Sequence, residues 1–264
     1  MNVRQLGWRA LYEVLAARVR RPEWAFMNYG YAPLDDDDGR EPLALEPADE
    51  PDRMCIQLYD HVTRDIALRG ADVLEVGCGR GGGSAFLARY RGPRTMTGVD
   101  LSRAAVALCR RERHAPGLTF VHGNALDLPF PDESFDAVVN VESSHCYPSV
   151  EAFLREVHRV LRPGGSLLFA DLRGREEMVE LWATLRASPL EVVDVREITA
   201  NVVAALELDD DRRRALLDAW IPRPVRRPFE RFAAVEGSST HARFRSGANR
   251  YTSARLVKAP TALA

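Results

Sequence analysis

The chain is expected to fold as a doubly wound α/β domain: a mostly parallel sheet flanked by helices, with an antiparallel hairpin at one edge and a helical cap. Three observations predict this. Apolar runs of strand length alternate with amphipathic stretches between residues 72 and 171, the pattern of successive βαβ units. The first run ends in the glycine-rich turn Gly77-Cys-Gly-Arg-Gly-Gly-Gly83. The second run delivers a carboxylate, Asp100, 23 residues on from Gly77. Doubly wound sheets grip a nucleoside in this way, with glycines beneath its tail and an acid on its ribose hydroxyls.

The elements follow in order. Residues 6–19 carry apolar positions at helical spacing (Leu11, Val14, Leu15, Val19) and predict an amphipathic helix. An aromatic segment, 24–31, comes next. The acidic run at 35–38 and the proline-punctuated stretch to residue 51 predict an exposed loop. Residues 52–68 predict a helix that leads into the first strand. Strands are expected at 73–76, 95–99, 119–122, 135–141 and 166–171, with helices at 84–90, 102–112 and 150–161 between them. Beyond residue 171 the pattern changes to a helix at 176–187, a half-buried strand at 190–198 and a helical region at 201–220, broken by Pro222, Pro224 and Pro228. Two alternating stretches, 242–244 and 250–257, flank Ser246-Gly247 and predict the hairpin edge. The chain thus divides into an N-terminal cap with an aromatic lid (1–69), a cofactor-binding core (70–175) and a C-terminal part (176–264). That last part completes the sheet and carries a helical insertion on the substrate side.

Bulk properties exclude several classes of function. The 264 residues are 46% hydrophobic and 28% charged, as in an ordinary globule, and the net charge of −2 leaves no footprint for nucleic acid or an anionic membrane. No apolar run approaches the roughly 20 residues that span a bilayer. The N-terminus lacks the apolar core of a signal peptide. Cys55, Cys78, Cys109 and Cys146 match no metal or redox spacing, which predicts reduced thiols in a cytoplasmic protein. No metal site is expected.

The spacing around the glycines narrows the ligand. It is Glu-x-Gly-x-Gly-x-Gly, not the Gly-x-Gly-x-x-Gly that aims a helix N-terminus at a pyrophosphate. Glu75, two residues before Gly77, repels a pyrophosphate but suits a cationic tail. S-adenosylmethionine (SAM) has such a tail, an ammonium and a sulfonium. This disfavours a nicotinamide oxidoreductase. Gly77, Cys78 and Gly79 are then the close-approach positions, and Asp100 with Leu101 holds the ribose end. After the third strand, Asn124 and the Ala125 backbone are candidates for the adenine, with a simple Asx turn as the alternative.

The strand at 135–141 ends in Asn140-Val-Glu-Ser-Ser-His-Cys-Tyr147, which places Asn140, Glu142, His145 and Tyr147 at the mouth of the sheet. His145 suits proton abstraction from an alcohol near neutral pH, and Glu142 is a candidate to orient it or to position a ligand. Asp171, at the next strand end, is a second base, a substrate anchor or a cap. Tyr29 and Tyr31 either pack a cap or line an apolar substrate pocket with Trp24 and Phe26. His61 and His158 fall within helices and are expected to be structural. His241, in a polar late stretch, is expected to be exposed.

With these residues on the page, the chain resembles the class I SAM-dependent methyltransferases. Within them it resembles the phthiotriolone and phenolphthiotriolone dimycocerosate methyltransferases and the O-methyltransferases of bacterial polyketide pathways. Residues 73–84, 123–130 and 160–165 carry the general resemblance; 48–53 and Ser144-His-Cys-Tyr-Pro148 carry the narrower one. It implies a seven-stranded Rossmann-like sheet and SAM as cofactor, with S-adenosylhomocysteine as product. It also implies transfer of a methyl group to a hydroxyl of an apolar natural product. Cofactor binding is carried onto Glu75, Gly77, Gly79, Asp100 and Asn124, and the base onto His145. Asn124 stands where the family has an acid, so adenine loses a charge-assisted bond there. An N- or C-methyltransferase and a SAM-binding protein without turnover remain as rivals. The expected partners are a small apolar acceptor and a second copy of the chain.

Overall fold

The computed structural model describes residues 24–34 and 42–260. The helix expected at 6–19 and the acidic run at 35–38 lie outside those residues. Seven strands form one sheet in the order β3-β2-β1-β4-β5-β7-β6. β1 (Asp72–Val76), β2 (Thr95–Asp100), β3 (Leu118–His122), β4 (Phe135–Val141) and β5 (Leu161–Gly174) are parallel. β7 (Asn249–Val257) runs antiparallel between β5 and β6 (Glu191–Glu197). The mostly parallel, doubly wound sheet with an antiparallel edge is therefore as the sequence predicts.

Helices cover both faces. They are α1 (Arg53–Thr63), α2 (Gly82–Tyr90), α3 (Arg103–Glu112), α4 (Val150–Val160), α5 (Arg175–Arg186), α6 (Thr199–Leu208), α7 (Asp210–Trp220), α8 (Arg227–Phe232) and α9 (Ser239–Arg245). Three of them, α3, α4 and α9, start at a serine that satisfies an otherwise orphaned N–H group. Ser102 Oγ accepts from Ala105 N at 3.1 Å and Ser149 Oγ from Ala152 N at 3.1 Å. β1 is buried along its whole length, as a central parallel strand must be. Its Val73 joins the core beneath α1, α2 and α6 with Leu58, Leu87 and Val139. Its Leu74 and Val76 face the other way, toward Phe153, Leu154 and Val157 of α4. Each such side chain contributes about 1.5–3 kcal/mol by leaving water.

Two expectations are corrected. Residues 242–244 are not a strand but part of α9: Ser238 Oγ caps it by accepting from His241 N at 3.2 Å, and Phe244 is buried. The antiparallel partners of β7 are instead β5 and β6, far off in sequence. The helical region expected as one piece at 201–220 is two helices that meet at Asp209, whose carboxylate binds Arg212 and Arg213 of the second helix.

The strand order reverses between β1 and β4. The chain leaves β1 for β2 and β3, then returns to lay β4 on the other side. Open α/β sheets bind ligands in the crevice outside the carboxyl ends of such a pair. The glycine turn after β1 and the Asn140–Tyr147 stretch after β4 face one another there.

Candidate active site

The glycine turn is built around two strand ends. Gly77 N and Cys78 N both donate to Val99 O, at 2.8 and 3.1 Å. Asp100 Oδ2 accepts from Gly79 N at 2.9 Å and its Oδ1 accepts from Ser102 N at 2.8 Å, so one carboxylate ties the turn to the start of α3. Gly77 sits at φ +78°, where a Cβ would fall 2.3 Å from Ser143 Oγ. No other residue type fits both demands.

Glu75 is fully buried. Tyr59 OH donates to its Oε1 at 2.6 Å and Ser84 Oγ donates to its Oε2. Burial pushes its pKa up to about 7, against the two hydrogen bonds that favour the anion. Sequence alone placed this carboxylate against the ligand's cationic tail. The structure instead spends both of its oxygens on α1 and α2, so it shapes the turn from below.

Asn140 reaches across the switch point. Its Nδ2 lies 2.8 Å from Val76 O, 2.8 Å from Ser143 Oγ and 3.0 Å from Tyr147 OH. Its Oδ1 is buried with no hydrogen-bond partner among the described residues. Tyr147, expected to meet substrate, thus has its hydroxyl in this network beside Gly77, bonded to Ser143 Oγ at 2.6 Å, and its ring on Phe153. Asn124 is exposed and forms an Asx turn, its Oδ1 accepting from Leu126 N at 3.1 Å. Leu101 follows Asp100 with 43% of its surface exposed, and Ala125 is half-buried.

On the β4–β5 side a histidine stands against a buried carboxylate. His145 Nδ1 lies 2.8 Å from Asp171 Oδ1, and its backbone N–H donates to Asp171 Oδ2 at 2.9 Å. Ser144 Oγ donates to Oδ2 at 2.5 Å, Leu172 N donates to Oδ1 at 2.8 Å, and Arg173 forms an ion pair at 3.2 Å. Asp171 has no exposed surface. Arg173 and His145 hold its carboxyl well below the usual range, overcoming the burial that opposes charge. An ionised carboxylate only accepts, so Nδ1 carries the proton and Nε2 is the exchangeable nitrogen. Burial disfavours the imidazolium, but Asp171 outweighs it and raises the His145 pKa well above its ordinary value. The His145 side chain is 35% exposed. Asp171 is therefore not a substrate anchor, and it, not Glu142, orients the histidine.

Glu142 has φ +47°, a left-handed conformation uncommon outside glycine. Its Oε1 accepts from Tyr29 N at 2.6 Å and from Tyr251 OH at 2.9 Å. Burial pushes its pKa up to about 7. Tyr29 is thereby held at the mouth, its ring edge-on to Phe244. Tyr31 packs in the core beneath the sheet's helices. It is 2% exposed and stacked on His61 at 4.3 Å. His241 is also buried, on α9, with Nε2 3.6 Å from Glu207. Sequence reasoning assigned no role to Tyr59, Ser84, Arg173 or Tyr251, whose partners lie distant in the chain or on a neighbouring strand end. Ser144, quoted with the 144–148 block, was given no role of its own, and the structure places its hydroxyl on Asp171.

These residues fit SAM as a ligand. The orphaned, buried Asn140 Oδ1 beside Val76 O and the glycine turn is an acceptor waiting for a donor such as an ammonium. Exposed Leu101, beside the Asp100 carboxylate, offers an apolar surface of the kind a purine stacks on.

Comparison with known proteins agrees. A methyltransferase domain family matches residues 74–169. The chain is 45% identical over 226 residues to phthiotriol/phenolphthiotriol dimycocerosates methyltransferase 1 of Mycobacterium ulcerans, covering 86% of this chain and 80% of that one. It is 40% identical over 240 residues to the fatty-acid O-methyltransferase of Mycolicibacterium smegmatis, covering 87% and 86%. Among solved structures, geranyl diphosphate C-methyltransferase of Streptomyces coelicolor, in complex with S-adenosylhomocysteine, superposes with TM-score 0.62 at 18% identity over 94% of this chain and 97% of that one. The [4+2]-cyclase SpnF superposes with TM-score 0.67 at 22% identity, covering 95% of each chain. At such identities the likeness is one of fold.

Proposed function

The chain belongs to the class I SAM-dependent methyltransferases, and on that premise we propose that it methylates a hydroxyl oxygen of an apolar natural product, with His145 as the base. The observation that carries this reading is the His145–Asp171 pair at the mouth of the sheet. The relatives named for phthiotriol dimycocerosates and for fatty acids support a large, apolar acceptor.

SAM supplies the electrophilic methyl group when bound. The turn at Gly77, Cys78 and Gly79 and the free Oδ1 of Asn140 receive its amino-acid end. Asp100 and Leu101 receive the ribose and purine, with Ala125 and the Asn124 amide at the adenine edge. Nε2 of His145 takes the acceptor's hydroxyl proton. Asp171 keeps the ring in the productive tautomer and stabilises the imidazolium that results. Glu142 holds Tyr29 in place over the mouth, so positioning and water exclusion share in the rate.

One observation favours a second acceptor. The Asp171 carboxylate, 2.8 Å from the ring, favours the protonated form of His145. An imidazolium binds a carboxylate, and a carboxylate needs no base to be methylated. The test is paired: 1-hexadecanol and hexadecanoic acid, each with methyl-labelled SAM, products read by mass spectrometry. Methyl ether alone supports the hydroxyl reading; methyl ester alone moves the acceptor to carboxylates. Neither product from any hydroxylated or acidic lipid, with S-adenosylhomocysteine still binding, overturns both.

A further inference from the structure

The aromatic segment 24–31 has no regular secondary structure, yet its backbone is held by several different elements. Trp24 O accepts from Arg80 Nε at 2.5 Å and Ala25 O from Gly82 N at 3.2 Å, so the segment lies on the glycine turn. The approach is close: a Cβ on Gly82 would fall 2.6 Å from Ala25 O. Tyr29 N donates to Glu142, and Tyr29 O accepts from Arg213 of α7 at 2.8 Å. One strand of irregular chain therefore touches the cofactor turn, the end of β4 and the cap.

The side chains of the same segment wall a crevice that is partly open to solvent. Trp24 and Phe26 line it from one side, and Leu216, Leu217, Trp220 and Phe232 line it from α7 and α8. These six are half-buried, a cluster of large apolar groups around a concavity. None of Glu75, Gly77, Asp100, Glu142 or His145 lines it. The charged groups at its wall are spent on protein partners. Arg212 pairs with Asp52 at 2.9 Å and Asp209 at 2.6 Å. Arg213 pairs with Asp209 at 3.0 Å and donates to Ala233 O at 2.8 Å. Such walls select a neutral, apolar occupant.

We propose that this crevice holds the aliphatic tail of the acceptor, and that the 24–31 segment is the wall it shares with the cofactor turn. The proposal rests on the reading of the acceptor as apolar. The shared wall has a consequence. The Arg80 guanidinium, within the glycine turn, also lies over the Trp24 ring at 4.8 Å. A tail packed on Trp24 and a cofactor ordering the turn therefore act on the same side chain, and each tightens the binding of the other by the same factor.

Trp24 and Trp220 both line the crevice, so indole emission reports its occupancy without turnover. The protein saturated with S-adenosylhomocysteine is titrated with 1-octanol, 1-decanol and 1-dodecanol. Affinity is expected to rise up to about fourfold per methylene until the crevice is filled. Leu216→Ala, which removes wall, and Ala233→Phe, which fills the space, are each expected to flatten that rise. The Trp24→Phe, Trp220→Phe double variant is expected to lose the emission change. Calorimetry is expected to show S-adenosylhomocysteine binding several-fold tighter with dodecanol present. Affinity independent of chain length, a signal that survives in the double variant, or no gain for S-adenosylhomocysteine overturns the proposal. So does an emission change that follows protein concentration instead of alcohol, which assigns the crevice to a second copy. Failure of hydroxyl methylation leaves the chain-length series readable, so the two readings fail separately.

Discussion

Asp171 stands directly behind His145: Oδ1 lies 2.8 Å from the ring Nδ1, and Oδ2 accepts the same residue's backbone N–H at 2.9 Å. The carboxylate thus fixes both the ring and the main chain that carries it. Arg173 and Ser144 complete its shell, leaving no oxygen for a substrate.

Removing the imidazole tests the base directly. His145→Ala is expected to lower kcat for an alcohol acceptor by roughly 10²–10⁴-fold while S-adenosylhomocysteine affinity stays near the parent's. The parent's pH–rate profile should climb above pH 6.5 and level off only beyond the raised His145 pKa, because the base works deprotonated. A flat profile, or parent-like turnover in the variant, would falsify the assignment.

Asp171→Asn separates positioning from packing. Without the negative charge the His145 pKa should fall toward its ordinary value, moving the rising limb of the profile to lower pH although kcat drops. Arg173 loses a buried partner, so stability should fall by about 3 kcal/mol. Lower stability with an unmoved pH profile would leave Asp171 only a structural role.

Asp100→Ala is expected to weaken S-adenosylhomocysteine binding about 10- to 100-fold, since a hydrogen bond to a charged group contributes roughly 1.5–3 kcal/mol. The loss includes the tether at Gly79 N. Calorimetry at unchanged thermal stability reads it; undiminished affinity contradicts the ribose assignment.

Gly77→Ala places a methyl against Ser143 Oγ at a backbone angle that L residues rarely adopt. The expected cost is about 2 kcal/mol or more, with cofactor binding lost before the fold is. Urea denaturation and a cofactor titration on the same sample decide whether the turn tolerates it.

Glu75 makes stability depend on pH. Its folded pKa of about 7 lies above the unfolded value, so between about pH 4.5 and 7 the folded state holds a proton the unfolded chain has lost. Stability without ligand should therefore decline as pH rises through that window, by on the order of 3 kcal/mol from this group. Glu75→Gln should remove that component, seen as a smaller difference in denaturation midpoint between pH 5 and 7.5. An equal difference in parent and variant would contradict the burial argument.

Much of this was legible in the sequence because it is local. The strand periods, the glycine turn and the acid ending β2 lie within short windows, and their backbone demands are written in residue type. The edge was less legible. Residues 242–244 alternate like a strand, but Ser238 caps a helix there and Phe244 finds a core on one face. Alternation over so few residues does not outweigh a cap and a tertiary contact.

The sequence by itself determined the doubly wound sheet, the crevice at its switch point and the class of ligand that suits it. Only the tertiary structure decided which charged groups meet. Tyr59 and Ser84 take Glu75, Asp171 takes His145, and Glu142 reaches back over 113 positions to Tyr29. Periodicity states which face a side chain occupies, not which partner waits there. A buried carboxylate settles with whatever donor the packing brings within reach, and that is decided by the whole fold.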